Sequence, residues 1–129
     1  MRRLALVVML GLGISTAVFA QGIEESPEAD IGYGSPEAAL EALRNKPGVT
    51  LKEQNDWVVL NDRETLTLWS ITTAQHPAHP TAVKRAVLEK DGGVYLDMQV
   101  KCGASKAVCD EVVRQFQQLN DGIRKSMGQ

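Results

Sequence analysis

From Val94 to Cys102 apolar and polar side chains alternate without a break. Val94, Leu96, Met98, Val100 and Cys102 fall on one side, and Tyr95, Asp97, Gln99 and Lys101 on the other. A period of two marks a strand with one face buried and one wet. The pattern then changes period. Val108, Val112, Phe116, Leu119, Ile123 and Met127 recur at spacings of three and four. This spacing predicts an amphipathic helix of about six turns, capped by Ser105, whose apolar stripe covers Leu96, Met98 and Val100.

Upstream, Asp91-Gly92-Gly93 is a hairpin turn that joins the strand to an earlier one over Val83–Lys90. Thr65–Thr72 is β-rich, with Leu66, Leu68 and Ser70 on one side and Thr67, Trp69 and Ile71 on the other. Val49–Glu53 and Trp57–Leu60 flank Asn55-Asp56, a two-residue turn. Ahead of them Ser35-Pro36-Glu37 opens a helix: a serine cap, a proline at the first position and an acid at the positive end. Ala38, Ala39, Leu40, Ala42 and Leu43 give it an apolar stripe, and Pro47-Gly48 ends it. The expected fold is a two-layer α+β domain. Its sheet is an antiparallel meander of four or five strands, with a short N-terminal and a long C-terminal helix covering one face. The other face, more polar, is expected to be open to a partner.

The extreme N-terminus follows a different logic. Met1-Arg2-Arg3 precedes an apolar run from Leu4 to Ile14, and small residues lead to Ala20. These are the three parts of a cleavable signal peptide over residues 1–20. The run is too short for a comfortable membrane span, so no stable anchor is expected after cleavage. Residues 21–34 are acidic and poor in large apolar side chains, and read as a flexible leader. Residues 35–129 then form a single domain. Cleavage removes Arg2 and Arg3 and leaves a mature charge of about −4. That balance argues against nucleic acid, which needs a basic face. Export to the periplasm or medium also supplies an oxidising setting, in which Cys102 and Cys109 are expected to pair. The bond would clamp the turn between the last strand and the last helix.

Candidate chemistry centres on Ala74-Gln75-His76-Pro77-Ala78-His79-Pro80. Prolines break the strand pattern here and predict a rigid, mostly extended loop. His76 and His79 can reach one metal, but a stable zinc site uses three or four protein ligands. No acid lies within five residues of them, and no cofactor is expected. With Trp69, Lys84 and Arg85, the residues His76, Pro77, His79 and Pro80 form a candidate recognition loop, because a stiff loop loses little entropy on docking. No serine sits in a glycine-rich elbow, and no carboxylate is embedded in an apolar run that would raise its pKa. No catalytic residue is assigned.

The segments Thr67-Leu68-Trp69-Ser70-Ile71, His76-Pro77-Ala78-His79-Pro80 and Val83-Lys84-Arg85 resemble a family of small secreted proteins of Gram-negative bacteria. The Ser35-Pro36-Glu37 start and the Cys102–Cys109 region share that likeness, which spans about Tyr33 to Leu119. The resemblance implies a bacterial envelope setting and carries no reaction with it. The leading expectation is a non-enzymatic exported protein that binds another envelope protein, as an inhibitor, immunity factor or assembly accessory. A small-ligand or metal binder using the His76/His79 loop, and a hydrolase with an unrecognised site, are the alternatives.

Overall fold

The computed structural model describes residues 30–126 and residue 128. The expected signal peptide, residues 21–29 of the expected leader and Met127 lie outside the described residues. Along the chain run α1 (Pro36–Arg44), β1 (Val49–Gln54), β2 (Trp57–Asp62), β3 (Thr67–Thr72), β4 (Thr81–Lys90), β5 (Gly93–Cys102) and α2 (Lys106–Ser126). The strands form one five-stranded antiparallel sheet in the order β1-β2-β3-β4-β5. The α+β class, the meander and the two helices are as the sequence pattern expects.

Local chemistry explains the element ends. The Ala38 amide donates to Ser35 Oγ at 3.0 Å, and Pro36 sits in the first turn of α1. Asn55 and Asp56 take φ of 52° and 62°, the left-handed pair that a tight two-residue hairpin needs. Gly92, at φ 75°, completes the same kind of turn between β4 and β5. Ser105 Oγ accepts from the Val108 amide at 3.3 Å and caps α2.

Register decides what each face buries. Leu60 lies opposite Trp69, and Ile71 lies opposite both Val58 and Ala82. These side chains share one face and pack with Ile31, Ala39 and Leu43. The alternate positions turn the other way. There Trp57, Val83, Met98 and Val100 pack with Val108, Val112 and Phe116. The two helices therefore cover opposite faces, and the sheet is the middle of three layers. This corrects the expected two-layer arrangement with both helices on one face and an open polar face on the other. The polar alternates of β5, Asp97, Gln99 and Lys101, suggest an open face, but on β2, β3 and β4 the same face carries Val58, Leu60, Trp69, Ile71 and Ala82, which pack with Ala39 and Leu43 of α1.

Ile31 is buried in the α1-side core and Tyr33 packs against it, so packing begins ahead of the expected boundary at residue 34. On α2, Val112, Phe116 and Asn120 are buried while Leu119 is half-exposed. The inward line keeps a four-residue spacing, which puts an asparagine where the apolar pattern pointed to Leu119.

The expected clamp is present: Cys102, the last residue of β5, is disulfide-bonded to Cys109 in the opening turn of α2. Beside it the Gly103 amide donates to Pro80 O at 2.8 Å. A Cβ at Gly103 would lie 2.9 Å from Pro80 Cγ, so this close approach of two loops requires glycine.

Candidate functional site

The prolines of residues 74–80 do not hold an extended loop. Successive turns form instead, with His76 N–H donating to Thr73 O and His79 N–H to His76 O. His76 Nδ1 accepts from the Ala78 amide at 2.9 Å, and its ring lies 4.4 Å from that of Trp57. Burial holds the His76 imidazole below its ordinary pKa. His79 Nδ1 is 3.0 Å from Thr72 Oγ1, and its Nε2 is 4.0 Å from Glu37 Oε1. The line Thr72–His79–Glu37 has the residue types of a hydrolytic triad without its geometry. Thr72 is buried, its hydroxyl oxygen already accepts from the Thr81 amide at 2.9 Å, and 4.0 Å is too long for a hydrogen bond. His76 thus braces the loop internally through Nδ1, and His79 ties it to β3 through Nδ1. Among the described residues no group of three or more His, Cys, Asp or Glu comes together to hold a metal.

The structure also separates the residues expected to form the recognition loop. Trp69 faces α1, edge-on to Tyr33 at 5.8 Å, with Lys84 Nζ 5.5 Å from its ring. Pro80 is held at the Gly103 contact. His76 sits by Trp57, on the side of α2. Arg85 also points to the α2 side, and there the chemistry is unusual.

Arg85 is only 6% exposed. Its guanidinium lies 5.1 Å from the Phe116 ring, and Nη1 reaches Asn120 Oδ1 at 3.5 Å, the long limit of a hydrogen bond. Asn120 in turn contacts Met98 Sδ. Arg85 Nε is buried with no hydrogen-bond partner among the described residues, and no ion pair there reaches the guanidinium. Burial alone pushes its pKa down, though an arginine stays charged at any physiological pH. A buried guanidinium is ordinarily paired with a carboxylate.

Arg85 borders a cavity of about 360 Å³ beneath α2. Trp57, Val59, Phe116 and Leu119 make its apolar walls, and Lys52, Gln54, Ser70 and Gln115 bring polar groups to it. A second cavity, about 320 Å³, touches Arg85 from the Leu68, Leu96 and Ile123 side and is nearly all apolar. Sequence reading named Arg85 but placed it with the wrong neighbours, and it passed over Lys52, Gln54, Gln115 and Asn120. One signal was present: Asn120 interrupts the line Val112, Phe116 at the position where the next inward side chain falls.

The opposite face holds its own buried charge. Asp62 is 3% exposed and accepts from Lys46 Nζ at 2.6 Å. That bond holds the Asp62 carboxyl below its ordinary pKa. Among the described residues no helix is long and apolar enough to cross a membrane. The chain matches no protein family, no curated protein and no solved structure.

Proposed function

We propose that this chain is an exported, non-enzymatic protein that binds another protein of the bacterial envelope. The observation that carries the reading is the far end of the β4–β5 hairpin. β3 pairs with β4 only as far as Thr67 opposite Ala86, while β4 and β5 stay paired on to Lys90 and Gly93. The Val87 amide still donates to Leu66 O, and Val87 lines a cavity with Ile123 of α2. The last three pairs, from Leu88 opposite Tyr95, therefore project beyond the three-layered body as a two-stranded arm with Val87 at its base. Val87, Leu88, Val94 and Tyr95 are all exposed on it, Leu88 at 48% and Tyr95 at 56%, and Leu66 is exposed at its base. Clustered apolar side chains facing water mark interaction sites, and a rigid tyrosine is a common anchor in them. With both sheet faces covered, this arm replaces the open face as the docking element.

Export is supported by the N-terminal pattern of residues 1–20 and by a disulfide of the kind that persists outside the reducing cytoplasm. The test places a photo-crosslinking side chain at Tyr95 in the native cells, with the same group at Glu111 on α2 as a control. The reading expects one discrete crosslinked product from position 95, lost when Leu88→Asp is added, and none from 111. Equal yields from both positions, or a product indifferent to Leu88→Asp, would contradict it. N-terminal sequencing of the same material should begin at Gln21.

A further inference from the structure

We propose that the groove between α2 and strands β1–β4 is a binding site for a small amphipathic monocarboxylate, its carboxylate on Arg85 and its apolar part along Trp57, Phe116 and Leu119. The site goes beyond the protein-binding reading and uses none of the exposed residues of the arm.

Three independent features converge on it. The first is an unmet charge. Arg85 is more than nine-tenths buried, and among the described residues its Nε is unpartnered and its one side-chain acceptor is the distant oxygen of Asn120. A planar guanidinium with free donors matches a carboxylate. The second is the charge around the cavity. Its lining holds Lys52 as a second cation, the amides of Gln54, Asn55 and Gln115, and the Ser70 hydroxyl, with no acidic residue among them. Glu111 stands beside Gln115, which donates to it, but its carboxylate is paired with Arg114, so an anion entering meets a surplus of cations and donors. The third is the shape of the apolar part. Trp57 and Phe116 stand edge to face with centroids 5.4 Å apart, and Leu119 leaves half its surface uncovered at the rim. A cavity of about 360 Å³ is at the small end of ligand sites, which sets the ligand as a short chain or single ring rather than a long lipid.

The alternatives each leave one feature unexplained. A purely apolar ligand would bury the guanidinium further with no compensation. A simple inorganic anion would use Arg85 and leave the aromatic wall empty. A carboxylate with an apolar body satisfies both.

The experiment is a titration of the isotope-labelled, disulfide-intact protein with octanoate, followed by NMR. Saturable shifts are expected in the Trp57 indole N–H, in Arg85 Nε–H and in the amides of Ser70, Gln115 and Leu119, with a Kd below about 1 mM. Octanol, which lacks the charge, and acetate, which lacks the body, should each bind at least about tenfold more weakly. Arg85→Met should weaken octanoate binding by a similar factor. Leu119→Glu changes a half-exposed position on α2, keeps the core intact and sets an acid at the rim, so it should also abolish binding. Equal binding of octanol or of acetate would overturn the proposal. So would undiminished octanoate binding in both variants, or shifts confined to the arm or to the α1 face.

Discussion

The two faces of the sheet each bury one charge and treat it in opposite ways. On the α1 face Asp62 has a lysine at 2.6 Å. On the α2 face Arg85 has no carboxylate at all among the described residues, and has a long contact to Asn120 and the face of the Phe116 ring. A buried charge without a partner leaves its desolvation cost uncompensated, whereas a paired one recovers part of it. Each face has a cavity at its charge, about 300 Å³ beside Asp62 and Lys46 and about 360 Å³ beside Arg85, so what differs is the pairing and not the space. The α2 face also keeps its helix in place partly by a covalent bond. The difference separates a charge that serves folding from one that is kept against folding, and it is the second kind that points to a ligand.

The largest effect should come from the covalent clamp. Replacing both cysteines, Cys102→Ser with Cys109→Ser, should lower stability by about 2–3 kcal/mol in the loop-entropy account, read from urea unfolding. The comparison sharpens if the loss is local. Hydrogen exchange should then rise in α2 and β5 well before it rises in α1. Equal loosening of both helices would show that the α2 face does not lean on the clamp.

Next comes the paired charge. Asp62→Asn keeps the shape and removes the ionic partner of Lys46, and should cost about 1–2 kcal/mol. Adding Lys46→Met should restore little, since the amide oxygen introduced at position 62 would then be left with fewer donors. A neutral outcome for Asp62→Asn would erase the contrast between the faces.

Acid should act on the two faces in separate windows. His76, beside Trp57 on the α2 side, is held below the ordinary histidine value of 6.5 by burial. The unfolded chain then takes up its proton first, so stability declines as pH falls from about 6.5 toward the lower folded value. Asp62 is held below its ordinary 3.8 by Lys46. Its contribution is present above that value and is lost as pH falls through the still lower folded one. His76→Gln should remove the first decline and leave the second, as followed by thermal melts across pH.

Much of the fold was readable from period alone. The unbroken alternation of β5, the Asn55-Asp56 and Asp91-Gly92-Gly93 turns, the Ser35 cap and the long stripe of α2 each act within a few residues, and local chemistry is what a sequence displays most directly. The layering was not readable, for a physical reason. On β5 the positions facing the α1 side are Asp97, Gln99 and Lys101, while Val58, Leu60, Trp69 and Ile71 of the other strands lie on that same face and pack with α1. One face thus carries a polar spelling at its edge and an apolar one at its centre, and alternation within a single strand does not show which part a helix covers. The candidate site was half legible. Arg85 stood out as a charge next to the proline loop, but its burial depends on α2 crossing from residues about thirty-five positions away, as the contact to Asn120 shows. Alternation does give that it faces away from Trp69 and Lys84. It does not give what lies above it.

Without a ligand, the Arg85 charge adds nothing to the stability of the folded chain. Urea unfolding of Arg85→Met without ligand measures this directly. Methionine fills much of the same volume beside Phe116 and removes the buried cation, so the variant should be as stable as the parent or more stable by about 1 kcal/mol. A loss of about 3 kcal/mol or more, the size seen when a properly compensated buried charge is broken, would show that Arg85 is a structural group and would contradict the account.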